Sequence, residues 1–284
     1  MKKSSGQKSK PPVSYHGGKQ QMSRHILPLI DYTSTTLYCE GCVGGGAIFW
    51  LKKPHPNEVI NDINGNVVNF YQVLKNNALF EEFSTLLEAT LHSRAMYHRA
   101  VAIYRDPGFY SKVERAWAFF VGCNQSFSSQ INSNSWAYER KGNNSSCRRF
   151  VNKKNAILLN RDFYIQRLEN VSIESRDVIS LIKSRDFEGA FFYIDPPYPN
   201  TEQAHYRGYA MRDFIELMEL LQNVKGKFLL SSYVYPELSE FTQANDWYQL
   251  TFKKASTVAS PRKRKGSKIE VLTSNYPLGQ VELF

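Results

Sequence analysis

The sequence predicts a mixed α/β fold, with a core built from residues 11–75 and 165–284 and a mainly helical, basic insertion over 76–164. Three observations carry this. TTLYCEG (35–41) is a short strand that runs into Gly44-Gly45-Gly46 and then into the apolar helix candidate AIFWL (47–51). EVIND (58–62) is a second strand with an acid at its end. GAFFYIDPPY (189–198) is an apolar strand stopped by two prolines.

The remaining elements follow in order. A helix is expected from near Asn64, with Val67, Val68, Tyr71 and Leu74 at helical spacing. Residues 76–125 are helical in pattern and broken at Asp106-Pro107-Gly108. Residues 124–155 are rich in Asn, Ser, Lys and Arg with interspersed aromatics, which reads as a functional loop region or small lobe. The α/β pattern returns with VSIESRD (171–177), the strand before Asp195, a helix over 213–224 and KFLLSSY (227–233). WYQLTFKKA and IEVLTSNY supply the closing strands.

At 284 residues the chain holds one sizeable core with an inserted lobe. A 42% hydrophobic content and a mean hydropathy of -0.45 describe a soluble globular protein. No apolar run approaches the ~18 residues of a membrane span, and no membrane association is expected. Residues 1–10 are basic without a following apolar stretch, so a flexible basic arm is expected rather than a secretory leader. The excess of 36 basic over 26 acidic residues, a formal charge of +10, favours a polyanionic partner. Cys39, Cys42, Cys123 and Cys147 are too few and scattered for a disulfide framework. The Cys39/Cys42 pair lacks the second pair or spaced histidines of a zinc site and reads as small buried thiols, so no metal is expected.

In an α/β nucleotide unit the glycine turn lets backbone approach the ligand, and the acid after the second strand holds ribose hydroxyls. Here these are Glu40 through Gly46, then Asp62. Gly44-Gly45-Gly46-Ala47-Ile48-Phe49 lacks the last glycine of a dinucleotide fingerprint. Glu40 just before it would repel a pyrophosphate but suits S-adenosylmethionine, which carries a sulfonium and an ammonium and no phosphate. Tyr15-His16-Gly17-Gly18-Lys19 is a second glycine turn, whose Lys19 is a candidate contact for the cofactor's carboxylate. Asp177 is a candidate acceptor for the adenine amino group of the cofactor, with a helix cap as its competing role.

Asp195 stands at the carboxyl end of its strand, where ligands collect in open α/β sheets. An exocyclic amine on a nucleobase is a poor nucleophile because its lone pair is delocalised into the ring. Asp195 and the Pro196 carbonyl are candidate acceptors for its two hydrogens. They would favour a more sp3-like nitrogen and stabilise the transition state for methyl transfer more than the ground state. Tyr198 is a candidate stacking face for a base drawn out of the duplex.

YHGGK (15–19), YCEGCVGGGAIF (38–49), IND (60–62), SRD (175–177), DPPY (195–198) and KGSKIEVLTSNY (265–276) are spread over nearly all the chain. In these motifs and their order the sequence resembles the Dam-type family of DNA adenine N6-methyltransferases. The resemblance implies a Rossmann-like S-adenosylmethionine-dependent methyltransferase fold with an inserted, mainly helical target-recognition domain. It implies methyl transfer to the N6 amine of a flipped-out adenine in double-stranded DNA. By position it sets Tyr15, Lys19, Glu40, Gly44, Gly46, Asp62 and Asp177 around the cofactor, and Asp195, Pro196 and Tyr198 at the amine. The family's glycine segment often reads EPFxGxG, whereas this one reads EGCVGGG. The middle region lacks a match to members that read GATC, so no target sequence is implied. Cytosine N4 methylation, or a non-catalytic DNA-binding role on the same fold, are the alternatives. A cognate restriction endonuclease and a cytoplasmic, prokaryotic or phage setting are further expectations.

The DNA-facing candidates are Gln125, Asn132, Trp136, Tyr138, Arg140, Lys141, Arg148 and Arg149, with Lys263, Arg264 and Lys265 in a second basic cluster. Arg and Lys favour phosphate or guanine, Asn and Gln read adenine edges, and aromatics wedge or stack beside a displaced base.

Overall fold

The structure is a computed structural model that describes residues 10–139, 142–199, 208–253 and 269–279. The expected cluster Lys263, Arg264 and Lys265, the pair Arg140 and Lys141, and nearly all of the basic arm lie outside the described residues.

The strands are β1 (Leu37–Glu40), β2 (Asn57–Asn61), β3 (Val171–Glu174), β4 (Ala190–Ile194), β5 (Lys227–Tyr233), β6 (Tyr248–Lys253) and β7 (Ile269–Ser274). They form one sheet in the order β3-β2-β1-β4-β5-β7-β6. β1 to β5 pair with one another in parallel, whereas β7 is antiparallel to both β5 and β6. The strand order reverses between β1 and β4, and in open α/β sheets the crevice beyond that switch point is where ligands bind.

The helices are α1 (Ser23–Ile26), α2 (Ala47–Leu51), α3 (Gly65–Lys75), α4 (Asn77–Glu88), α5 (Arg94–Arg105), α6 (Lys112–Gln125), α7 (Ser145–Leu159), α8 (Arg161–Leu168), α9 (Val178–Arg185), α10 (Met211–Leu221) and α11 (Pro236–Ala244). Local chemistry sets their starts. Asn64 Oδ1 accepts from Asn66 N at 3.0 Å to begin α3, and Asn76 Oδ1 accepts from Leu79 N at 3.0 Å to begin α4. Ser111 and Glu114 form a reciprocal capping box at α6.

Strand periodicity divides the core. Cys39, Phe192, Ile194 and Leu230 face one way, against Leu181, Phe214 and Leu217 of α9 and α10. Tyr38, Phe191, Tyr193 and Leu229 face the other way, with Ile26 of α1. A third apolar cluster runs without interruption from Phe49, Trp50 and Phe70 into Phe83, Phe119 and Phe150 of α4, α6 and α7. The expected helical insertion therefore shares its core with α2 and α3.

The structure refines the sequence reading of residues 124–155 as a loop region or small lobe: from Ser145 onward they fold into α7. Phe150 and Ile157, seven residues apart, lie on its buried side, and the Asn and Arg side chains that obscured the period, Arg148, Arg149, Asn152 and Asn155, are exposed. Glu139 Oε1 accepts from Ser146 N at 2.8 Å and anchors the helix start. Two lysines of the basic stretch also serve the fold: Lys153 Nζ donates to Pro11 O at 2.7 Å and Lys154 Nζ to Thr90 O at 3.0 Å.

Arg167 of α8 is tied to β2 through Glu58, whose buried carboxylate also takes the Lys52 ammonium. Burial opposes the charge on Glu58, but Arg167 and Lys52 hold its pKa below the usual carboxylate value. No helix among the described residues is long and apolar enough to cross a membrane.

Candidate active site

The glycine loop is built at the carboxyl end of β1. Gly44 and Gly46 have φ of 48° and 65°, in the left-handed region that glycine tolerates best. Asp62, at the end of β2, accepts from Gly44 N through Oδ2 and from Asn64 N through Oδ1, both at 2.9 Å. One carboxylate thus joins the loop to the start of α3. The Tyr15 ring covers the loop so closely that a Cβ on Gly44 would fall 2.8 Å from it.

Glu40 is buried at the last residue of β1, in register with Tyr193 of β4. Tyr38 Oη donates to its Oε2 at 2.6 Å. Burial is the main cause that pushes the Glu40 carboxyl up to about 8, against the hydrogen bond from Tyr38 and the charge of Lys52.

A cavity of about 1140 Å³ opens beside this loop. Asp62, Ile63, Asp177, Val178, Pro196 and Pro197 line it. Asp177 also caps α9, accepting from Ile179 N at 2.9 Å and Ser180 N at 3.1 Å, so both roles weighed for it in the sequence coexist. Tyr15, Lys19, Glu40, Gly44 and Gly46 are not among the lining residues.

Asp195 follows β4 directly, with its side chain 19% exposed. Lys19 Nζ donates to Asp195 Oδ1 at 2.7 Å, and Tyr198 Oη donates to the same oxygen at 3.1 Å. The Lys19 ammonium also meets Gly17 O at 3.3 Å and lies 4.9 Å from the centre of the Tyr198 ring. Lys19, expected at the cofactor carboxylate, is thus found on the Asp195 carboxylate. Tyr198, expected as a stacking face, is buried, within hydrogen-bonding distance of Ser231 Oγ at 3.0 Å and edge-on to Tyr233 at 4.5 Å. Burial raises the pKa of Asp195, and the charge of Lys19 opposes that rise.

Sequence reasoning missed several residues here. Ser231 and Tyr233 on β5 and the buried Glu270 on β7 surround Tyr198 and Asp195. The signal for Glu270 was an acid beside Val271 and Leu272 in a strand. Ile63, 64% exposed at the cavity, was visible only as an apolar residue after Asp62.

In the helical part of the chain, the Trp136 ring stacks with His92 at 4.8 Å and with Tyr138 at 5.6 Å. The Arg94 guanidinium, also missed, lies 4.9 Å from the centre of the Trp136 ring and 5.2 Å from that of Tyr138. Tyr138 and Arg148 are exposed, and Arg149, also exposed, donates to Ser146 Oγ at 3.0 Å. Asn132 reaches the cavity rim instead. Gln125 is a correction: its side chain is fully buried. Its Oε1 accepts from Ser93 N at 3.1 Å and Trp136 Nε1 at 3.2 Å, and its Nε2 donates to Leu91 O at 2.9 Å. An amide spent on the fold in this way has no edge to offer a base.

The sheet order and the helices packed on it define a Rossmann-like methyltransferase fold with helical insertions. Residues 15–258 match the family described as D12 class N6 adenine-specific DNA methyltransferase, and the chain belongs to that family. It is similar to the type II methyltransferase M1.LlaDCHI of Lactococcus lactis subsp. cremoris, at 26% identity over 94% of this chain and 95% of that protein. Among solved structures, an rRNA methylase from Streptococcus thermophilus aligns over 89% of this chain and 94% of its own, at 10% identity and a TM-score of 0.34, too distant to bear on function. Membership of the family makes the chain a DNA methyltransferase in class and supports S-adenosylmethionine as its methyl donor.

Proposed function

We propose that this protein transfers a methyl group from S-adenosylmethionine to the N6 amine of adenine in duplex DNA, acting on a base turned out of the helix. The observation that carries this is the position of Asp195: it directly follows β4 at the switch point, and the two prolines after it line the adjoining cavity.

The cavity suits the donor chemically. Its lining holds Asp62, Asp177, Asp213 and Glu216 against Arg105 and Arg176, an acidic balance that disfavours a pyrophosphate and accommodates ribose hydroxyls and amino groups. Ile63 and Val178 offer an apolar seat for an adenine ring. When bound, the donor supplies an electrophilic methyl group on a sulfonium. Asp62 and Asp177 would hold it, with Glu40 beneath the loop and Tyr15 covering the glycines.

Asp195 and the Pro196 carbonyl would accept the two amine hydrogens of the target and turn the nitrogen lone pair towards the methyl group. The base must leave the stack to reach them. Residues 76–164 would form the target-recognition domain. Trp136, Tyr138 and Arg94 would present an aromatic and cationic ledge to the DNA, Asn132 would act from the cavity rim, and Arg148, Arg149, Arg140, Lys141, Lys263, Arg264 and Lys265 would be further DNA contacts. The likeness to a type II methyltransferase supports a modification role beside a cognate restriction endonuclease.

The direct test is methyl transfer from labelled donor to duplex DNA, followed by nucleoside analysis. Label in N6-methyladenine is the expected result. Label in N4-methylcytosine, or none in DNA, would reject the assignment.

A further inference from the structure

Resting on that reading, we propose that Lys19 is a positioning residue for methyl transfer, which grips the Asp195 carboxylate by Oδ1 and reserves Oδ2 for the hydrogen of the target amine. Among the described residues, both hydrogen bonds to this carboxylate, from Lys19 at 2.7 Å and Tyr198 at 3.1 Å, fall on Oδ1. Tyr198 is itself held by Ser231 at 3.0 Å, so the second donor to Oδ1 is fixed as well.

Lys19 is not a loose surface lysine. Its side chain is only 5% exposed, and its turn is closed by Gly18 N to Tyr15 O and Met22 N to Lys19 O, both at 3.0 Å. The preceding residues are anchored to the helical part of the chain, where Asn124 Oδ1 accepts from Ser14 N at 3.1 Å and His16 Nδ1 lies 3.3 Å from Ser128 O. The ammonium is therefore delivered to Asp195 by a built support.

The groups that face Asp195 include Lys19 from the amino-terminal turn, Tyr198 from its own loop, Glu270 from β7, Glu40 and Tyr193 from β1 and β4, and Cys42 from the loop after β1. Burial and Glu270 both oppose the anion, and Lys19 is the cation that sustains it. An ionised Asp195 is what the transfer requires. The nitrogen lone pair forms the N–CH3 bond as the S–CH3 bond breaks with its electron pair left on sulfur. The amine hydrogen at Oδ2 then passes to Asp195 as a proton and on to solvent.

The experiment follows Asp195 by the 13Cγ resonance of labelled full-length protein without cofactor, assigned with Asp195→Asn, alongside kcat, KM and pH profiles. Lys19→Met should raise the Asp195 titration midpoint by about one to three pH units. It should move the rising limb of kcat upward equally, so that kcat falls most at pH values below the shifted midpoint, with the KM for S-adenosylmethionine within about threefold. Lys19→Arg should keep the midpoint near the wild-type value, and Lys19→Gln, checked by thermal melting, should reproduce the effect of Lys19→Met. An unmoved midpoint in both neutral variants, or a loss expressed wholly as weaker cofactor binding, would overturn the proposal. A wild-type protein that leaves adenine unmethylated would refute the function proposed above without altering the resonance result, so the two failures are distinguishable.

Discussion

The Gly44 amide and the Asp62 carboxylate, 18 residues apart in sequence, meet at 2.9 Å and lock the glycine loop to the end of the neighbouring strand. The other oxygen of Asp62 starts α3 through Asn64 N, so one side chain organises the loop, the helix and the cavity wall. Asp62→Ala leaves buried donors unmet, at about 1–3 kcal/mol each. The expected outcome is a lower melting temperature and S-adenosylmethionine binding weakened at least tenfold by calorimetry. Asp62→Asn, which keeps one acceptor, should fall between.

Asp195→Ala removes the acceptor for the target amine. Single-turnover methylation should fall by about 100-fold to 1000-fold, the scale on which one transition-state hydrogen bond is felt. Cofactor and DNA dissociation constants should stay within about threefold. Because alanine leaves Lys19 facing a void, Asp195→Asn is the better isostere and should be nearly as inactive. Near-full activity in either variant would refute the role of Asp195.

Glu40 makes stability depend on pH. Its carboxyl rises from 4.5 to about 8 on folding, so the native state holds a proton that the unfolded chain has released across that interval. Stability contributed by the neutral form is complete below pH 4.5 and declines as pH rises towards 8. In cofactor-free protein, the urea stability of Glu40→Gln relative to wild type should therefore improve steadily across that window. A flat difference would show that Glu40 is ionised in the native state.

Arg148 and Tyr138 should separate electrostatic from stacking contacts with DNA. Arg148→Ala should weaken binding alike on all duplexes and reduce the slope of log K against log salt by about 0.9. Tyr138→Ala should leave that slope unchanged and slow methylation more than binding, read by salt titrations and single-turnover rates. Equal salt slopes for Arg148→Ala and wild type would remove Arg148 from the interface.

Much of this architecture is legible in local pattern. The strand before Asp195, the positive-φ glycines after β1 and the acid after β2 each announce themselves within about ten residues, because strand periodicity, proline and glycine act on neighbouring backbone. Helix α7 was obscured because its polar face dominates its composition, and only contact with Phe120 and its neighbours shows which side Phe150 buries. Glu270 and Ser231 give faint local signals, since their meaning lies in what β5 and β7 bring beside Tyr198.

The sequence by itself determined the α/β class, the glycine turn, and the tetrad Asp195-Pro196-Pro197-Tyr198 at a strand end. Tertiary structure decided the partnerships. It joined Lys19 to Asp195 across 176 residues, took Tyr198 out of solvent and turned Gln125 inward to hold Leu91, Ser93 and Trp136. The reason is physical: propensity and periodicity act along the chain, whereas the partner of a buried charge or amide is set by which distant segments the sheet order and helix packing bring within hydrogen-bonding distance.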